Sequence, residues 1–570
     1  MGKFCDIQTR NELADFLKIP RPKLTYVLYV AGIKKYYRKF EIPKKTGGTR
    51  VICAPFGDLK TIQTILANAL YRYDESIQNE NSGYFKISHA FEKGKSIITN
   101  AQVHRNKRFV LNLDLENFYD SFHFGRVQGY FEKNRNFHLP HEVAVTIAQI
   151  ACYDGHLPQG APTSPIITNL IFQILDMRLL KIAKKYKLDY TRYADDLTFS
   201  TNNRNFLNKQ SEFLEVLSDE IIKAGFSINH KKTRLQCRDS KQEVTGLIVN
   251  KKVNVDRAYY KKTKAMAHHL YTHGNFEIDG HPGTLGQLEG RFSFIDQLDR
   301  YNNKHDGKTH TYHTLNGRER RYQAFIFYKY FFSNDKPLIV TEGKTDVLYL
   351  KAALQSLYQE YPLLVEKDGK NYKFNITFFK RSKRWNYFFN ISPDGADTMK
   401  NLYYYFAPGK NAPNYFSDFC KLCCRNPQNP VILLYDNETV STRPLKNFLK
   451  EVGLKDPQKE QLKQNLSIQL IPQSNLYLLT TPLSPGQTEC EIEDLFDEST
   501  LSHEIGGRSF MRTDKFDKKI YYGKDEFSKY VFSHYAEIDF SGFKPLLDKL
   551  NAIVTDFSQS ESSSQILTKV

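Results

Sequence analysis

Two adjacent carboxylates, Asp195 and Asp196, lie in Thr191-Arg-Tyr-Ala-Asp-Asp-Leu-Thr-Phe-Ser200, between two short β-rich runs. The pattern predicts a hairpin whose acidic tip is held by a stiff, half-buried ribbon. Adjacent side chains on a strand point to opposite faces, so one Asp can face a site while the other supports it from the turn. Side-by-side carboxylates repel unless a cation neutralises them. An all-oxygen ligand set suits a hard cation such as Mg²⁺, which also binds substrate phosphates. A third carboxylate, Asp114, stands in the alternating run Phe109-Val-Leu-Asn-Leu-Asp-Leu115. An inward Asp in such a strand is costly unless paired or metal-bound, which makes it the natural companion of the pair. An isolated Asp-Asp is most often a solvated turn. The apolar flanks and the neighbours described next argue for chemistry here.

Several elements must position these acids. Phe40-Glu-Ile-Pro-Lys-Lys-Thr-Gly-Gly-Thr-Arg-Val-Ile-Cys-Ala-Pro55 reads as strand, Gly-Gly turn and strand. Lys44, Lys45 and Arg50 flank its turn and can lie over a polyphosphate. Leu157-Pro-Gln-Gly-Ala-Pro-Thr-Ser-Pro165 is a Pro- and Gly-crowded loop that lets Gln159 approach a substrate before a helix from Ile166. Ala224 to Thr233 reads as a helix end, a Gly stop and a strand. Glu243-Val-Thr-Gly-Leu-Ile-Val-Asn250 is another strand with an internal Gly.

At 570 residues the chain exceeds one ordinary domain and suggests about three. Its 40% hydrophobic and 25% charged content is that of a folded globular protein. A net charge of +18, a pI near 9.2 and 14% aromatic residues fit a nucleic-acid partner, with cations for phosphates and rings for bases. No signal-peptide pattern and no apolar run of membrane-spanning length is visible, and the eight cysteines are scattered. A reducing, cytoplasmic setting without a membrane partner is therefore expected. Cys420, Cys423 and Cys424 lack a second ligand pair at metal spacing and read as plain thiols.

The order of these blocks resembles the reverse transcriptases, and specifically the bacterial retron type. Gly-Gly-Thr-Arg50, Asp114 with Tyr119, Leu-Pro-Gln-Gly160, Tyr-Ala-Asp-Asp196, Asn229 with Lys232-Thr233, and Val-Thr-Gly246 follow in the family's sequence. Asn100-Ala-Gln-Val-His104 resembles the retron Asn-Ala-x-x-His block, and Val244-Thr245-Gly246 its late block. The resemblance implies an α+β right-hand polymerase, with fingers and palm over 1–256 and an RNA-binding thumb over 257–333. It implies two-metal phosphoryl transfer, with two Mg²⁺ ions on Asp114, Asp195 and Asp196. It gives Arg50 to the triphosphate, Gln159 to the nucleotide pocket and Tyr119 to exclusion of a ribose 2′-OH. Lys232 becomes a proton donor to pyrophosphate, and Asn100, His104, Val244, Thr245 and Gly246 become RNA-binding. The implied partners are deoxynucleoside triphosphates, a cognate structured non-coding RNA and its RNA–DNA product. Priming would come from an RNA 2′-OH.

A boundary is expected near Ser333. Leu338-Ile-Val-Thr-Glu-Gly343 and Pro430-Val-Ile-Leu-Leu-Tyr-Asp-Asn-Glu438 read as buried strands ending in acids. With intervening helices they predict a mostly parallel α/β sheet whose site lies at the strands' carboxyl ends, joining Glu342, Asp436 and Glu438. Asp346 reads equally as a helix cap. Over roughly 335–500 the segment resembles a Toprim domain, the module of topoisomerases, primases and OLD-type nucleases, and the effector domain with its C-terminal extension is expected over 334–557. Asp436-Asn437-Glu438 departs from the family's Asp-x-Asp by one methylene, and Glu493 resembles a later acidic block. One or two Mg²⁺ ions on Glu342, Asp436, Glu438 and Glu493 are implied, with a nuclease-like effector and anti-phage defence. A primase-like replication enzyme and a catalytically inactive Toprim scaffold are the alternatives. The Ser-rich tail, 558–570, is expected to be disordered.

Overall fold

The computed structural model describes residues 4–43, 47–80, 86–393, 395–409, 412–423, 425–439, 443–483, 486–513 and 515–567, with side chains through 559. Lys44, Lys45 and Cys424, singled out above, lie outside the described residues. The chain forms two compact units, Met1–Arg257 and Ala258–Val570.

In the first unit, β1 (Tyr37–Pro43) and β2 (Thr49–Pro55) form an antiparallel hairpin with Arg50 opposite Ile42. A larger sheet is built from β3 (Phe109–Glu116), β4 (Asp189–Tyr193), β5 (Asp196–Thr201), β6 (Ser227–Ile228) and β7 (Arg234–Cys237). All its pairs are antiparallel. The order is β4-β5-β3, with β6 and β7 sharing the far edge of β3. Strand β3 shows why this sheet can carry a site. Leu111, Leu113 and Leu115 enter the core, while the alternate positions, Asn112 and Asp114, are only half-buried. A period of two thus separates the greasy face from the polar one. The helix Ser164–Lys185 begins with Pro165 in its first turn and buries Ile166, Ile167, Leu170, Ile171, Leu175 and Leu179 at helical spacing.

That helix also carries Asp176, which pairs with Arg192 of β4, and both side chains are fully enclosed. Arg192 Nη2 donates to Asp176 Oδ2 at 2.8 Å and Nε to both oxygens at 3.0 and 3.1 Å. Its Nη1 reaches Asn169 Oδ1 and the Ala194 carbonyl, both at 3.2 Å. Tyr190 donates to Asp176 at 2.8 Å, and the guanidinium lies 4.4 Å from the Phe172 ring centre. Every lone pair facing the arginine is used, which is what a buried charge requires. A last hairpin, β8 (Glu243–Val244) and β9 (Leu247–Ile248), turns through Thr245 and Gly246, both at positive φ. The glycine there meets a turn that most side chains resist.

The second unit opens with helices Arg257–His273, Leu285–His305 and Gly317–Phe327, the first two joined through β10 (Glu277–Ile278) and β11 (His281–Pro282). Then come β12 (Leu338–Val340), the hairpin β13 (Val365–Asp368) and β14 (Asn371–Phe374), β15 (Thr377–Phe378), β16 (Val431–Tyr435), β17 (Ser467–Gln469) and β18 (Leu476–Thr480). Five of them form one sheet, β15-β12-β16-β18-β17, parallel except at β17. Val431, Leu433 and Tyr435 enter one core and Ile432 and Leu434 the other, so the sheet is covered on both faces. This explains the unbroken apolar reading of β16.

Two expectations are corrected. The boundary at 333/334 separates nothing. Phe327, Tyr328, Phe331 and Phe332 lie in the same core as Leu338, Val340 and Val431, because these rings complete one face of the sheet. The Ser-rich tail from 558 continues the helix Lys544–Leu567. Its buried early turns supply the nucleus, and each later residue then adds a hydrogen bond at low cost.

Asp176→Asn leaves a guanidinium buried without its counter-charge, with an expected loss of about 3–5 kcal/mol. Replacing the pair together, as Asp176→Leu/Arg192→Met, is expected to recover most of that loss. Urea denaturation of the full chain measures both.

Candidate functional site

Strand pairing brings the three predicted acids together. Asp114 lies opposite Asp196 in the β3–β5 register, and Tyr193 pairs with Asp196 to close a two-residue turn, Ala194-Asp195. Ala194 takes φ 54°, and the Asp195 carbonyl accepts from Leu115 N at 3.1 Å. A non-glycine residue in this region is held there by its surroundings. The Arg192 contact to Ala194 is one such restraint.

Electrostatics marks the site. Burial raises Asp195, with the nearby charge of Asp114 adding to it. Burial, then the charges of Asp195 and Asp114, push Asp196 up to about 7. Lys232 Nζ sits on Asp114 at 2.9 and 3.0 Å from its two oxygens, and Asn229 N donates to the Asp114 carbonyl at 2.8 Å. Among the described residues, no three His, Cys, Asp or Glu side chains are gathered closely enough to hold a metal ion. The donor chemistry nevertheless fits a divalent cation. It is all oxygen, crowded and half-buried, with an ammonium already compensating one member.

Tyr119 and Arg50 lie near these acids. Tyr119 is pushed up to about 12 by burial and by Asp195, while the charge of Arg50 acts on both groups in the opposite sense. Gln159 is tied to the β1–β2 hairpin through its carbonyl, which accepts from Cys53 N at 2.9 Å. Gly160, at φ 115°, is required for this contact, because a Cβ there would lie 2.8 Å from Ile52 Cγ2.

The RNA-binding expectation is corrected for Asn100, His104 and Val244, which are 0%, 0% and 1% exposed. His104 bridges the two strands of the catalytic hairpin, meeting Thr191 and Ser200 hydroxyls at 2.7 Å each. Burial lowers it to about 3, so it is neutral at ordinary pH. Val244 is buried, and Thr245 and Gly246 form the turn beside it. Sequence reasoning missed the Arg192–Asp176 pair. An arginine within a β-rich run and an aspartate within an apolar helix were its signal.

A second group of acids stands at the carboxyl ends of β12 and β16. Asp436 N donates to Glu342 Oε1 at 3.0 Å, and Ile492 N donates to Asp436 Oδ1 at 2.9 Å. Asp346 accepts from Gly343 N at 2.8 Å, capping the helix Lys344–Ser356. Burial pushes Glu342 up to about 8 and raises Asp436, Glu438 and Glu493, with repulsion from neighbouring carboxylates adding to it, and burial alone raises Asp346. Burial disfavours the charge of Lys524, yet Glu493 and Glu491, at 3.0 and 3.1 Å, outweigh it and raise its pKa. Glu438 meets Arg443 Nε at 3.3 Å. Glu342, Asp436 and Glu438 were expected together, with Glu493 as a further member; the charge of Glu438 acts on Glu342 and that of Glu493 on Asp436, and Asp346, Glu491 and Lys524 lie in the same group.

The family profile of the reverse transcriptases (RNA-dependent DNA polymerases) matches residues 42–254. The chain is similar to the retron Ec86 reverse transcriptase of Escherichia coli, 34% identical over 296 residues, 51% of this chain and 85% of that protein. It is 35% identical over 284 residues to the retron Mx65 reverse transcriptase of Myxococcus xanthus, covering 46% of this chain and 62% of that one. A solved telomerase of Candida albicans, in complex with a fragment of telomeric RNA, aligns over 52% of this chain and 60% of its own at 12% identity. The TM-score is 0.31. No helix among the described residues is long and apolar enough to cross a membrane.

The Asp196 shift sets a pH dependence. Its folded pKa, about 7, exceeds the unfolded value near 3.8, so its contribution to stability is complete below the unfolded value and lost as pH rises through about 7. A divalent cation needs the ionised form. Mg²⁺ should therefore raise the melting temperature more at about pH 8 than at about pH 6. The part of this increment absent in Asp196→Asn belongs to the first site. An increment independent of pH would contradict the assignment.

Proposed function

The chain belongs to the retron reverse transcriptases, and from that premise we propose that it copies part of a cognate non-coding RNA into single-stranded DNA joined to that RNA. It is an RNA-directed DNA polymerase. The observation that carries the reading is the convergence of Asp114, Asp195 and Asp196 at the turn end of paired strands, with Arg50, Tyr119 and Lys232 around them. Mg²⁺, as two ions held by the three aspartates, would supply charge stabilisation at the transferring phosphoryl group.

The protein's own groups do the rest. Arg50 pairs with the triphosphate of the incoming deoxynucleotide. The Tyr119 ring, kept un-ionised, stands against the sugar and disfavours a 2′-OH. Gln159, fixed through its backbone to the β1–β2 hairpin, lines the nucleotide pocket. The Lys232 ammonium, released from Asp114, is placed to give a proton to the departing pyrophosphate.

The second unit is proposed to be a Toprim-like effector with a Mg²⁺-dependent nuclease site on Glu342, Asp436, Glu438 and Glu493. A mostly parallel sheet with acids at its carboxyl ends supports this reading. Joining such an effector to a self-primed polymerase suits a cytoplasmic defence device against phage, restrained by its own RNA–DNA product.

Expression together with the upstream flanking DNA is expected to yield a short, RNase-resistant DNA linked to RNA, absent with Asp195→Asn/Asp196→Asn. DNA synthesis on an added primer–template without that product would overturn the self-primed reading. Metal-dependent cleavage of nucleic acid by the full chain is expected to fall at least a hundredfold with Glu342→Gln, about the effect of losing one strong electrostatic contact in a site. Undiminished cleavage would exclude the acid cluster as its source.

A further inference from the structure

A cavity of about 340 Å³ opens in the second unit, away from the acid cluster. Its walls include Tyr312, His313, Asn390, Asn401, Tyr404 and Tyr405. They come from three places: the segment before the helix Gly317–Phe327, the end of the helix Lys383–Phe389, and the short helix Lys400–Tyr403 with the turn after it. The aromatic walls are fixed. Tyr404 donates to Glu451 Oε1 at 2.5 Å, and buried Tyr405 donates to the Phe388 carbonyl at 3.3 Å. Asn390 ends its helix in the left-handed region at φ 55°, and Asn401 Nδ2 holds its carbonyl at 2.7 Å. Tyr312 and His313 lie with ring centres 3.7 Å apart.

The polar groups at the mouth are unspent. Among the described residues, the Tyr312 hydroxyl, the His313 ring nitrogens, the Asn390 side-chain amide and Asn401 Oδ1 make no hydrogen bond. No Lys or Arg lines the cavity among the described residues. A site for polyphosphate would carry one. An aliphatic ligand would leave two amides and a hydroxyl desolvated without partners. What remains is a flat ring with donors and acceptors on its edge. That is the chemistry of a nucleobase, which stacks on Tyr or His and reads Asn through its edge. The volume is at the small end of ligand-holding clefts, about 300–1,000 Å³, and suits one nucleoside rather than a duplex.

We propose that this cavity takes a single unstacked base of RNA, with Tyr312 and His313 as the stacking platform and Asn390 and Asn401 as its edge readers. The phosphates stay outside, on the basic surface of the chain. The inference rests on the proposed RNA-handling role of the chain and is independent of both acid clusters.

The test uses full-length protein and a fluorescent single-stranded oligoribonucleotide of about ten nucleotides, followed by anisotropy. Tyr312→Ala is expected to weaken binding about tenfold, Tyr312→Phe to keep the platform and bind within about twofold, and Asn401→Ala to narrow the difference between homopolymers. Thermal melting of each variant matching wild type shows that the fold is intact. A 4-thiouridine probe should crosslink to Tyr312 or Tyr404. Nucleoside monophosphates form a second arm. Competition by them that is lost with Tyr312→Ala supports base recognition with a free nucleotide as its source. Equal binding of the oligonucleotide by wild type and Tyr312→Ala, with crosslinks elsewhere, overturns the proposal while leaving the RNA-handling role standing. Absence of RNA binding by the wild-type chain would overturn both.

Discussion

The catalytic hairpin rests on one enclosed ion pair. Arg192 and Asp176 share no surface with water, and a charge in that position survives only when every donor and acceptor near it is used. Here Tyr190, Asn169 and the Ala194 carbonyl complete the set. The last of these ties the pair to function. Two aspartates that repel each other sit in a turn whose first residue is an alanine at positive φ. Such a turn would relax if left to itself. The guanidinium grips its carbonyl from below, and His104 clasps Thr191 and Ser200, one on each strand. Rigidity under the acids is therefore built from polar groups hidden in the core.

The two acid groups answer the same electrostatic problem in the same way. Carboxylates crowded at strand ends resist ionisation, as the upward shifts of Asp196 and Glu342 show. In each group the chain contributes an ammonium from outside the strands that carry most of the acids, Lys232 on Asp114 and Lys524 between Glu491 and Glu493. Each lysine keeps the group tolerable when no other cation is present, and each is flexible enough to yield its place.

Much of this was readable in the sequence, for a physical reason. The hairpin acids, the inward Asp114, the loop glycine and the acids ending apolar strands are local patterns, set by the period of a strand or by a turn. What escaped was non-local. The partner of Arg192 is 16 residues away on a helix, and no period connects them. The blocks Asn100 to His104 and Val244 to Gly246 were expected to meet RNA. Their regularity instead reflects burial beneath the hairpin and a turn requiring positive φ. The helical run through 558–567 has the composition of a disordered tail, but composition does not register the buried helix it extends. The expected boundary at 333 failed similarly, since a polar pentapeptide looks like a linker whether or not the rings before it are buried with the strand after it.

That shared core makes the helices before residue 333 and the sheet after it one body within the second unit. Phe327, Phe331 and Phe332 belong to the stretch expected to grip RNA, yet they are walled in by the sheet of the second unit. Severing the chain at either side of residue 333 would leave an open hydrophobic wound, so the helices before it and the sheet after it can be inherited or moved only together. The same aromatic seam is a conduit. Strain or loosening in the sheet is felt in the preceding helices as a change in local stability, so a disturbance on one side of residue 333 reaches the other without any separate messenger.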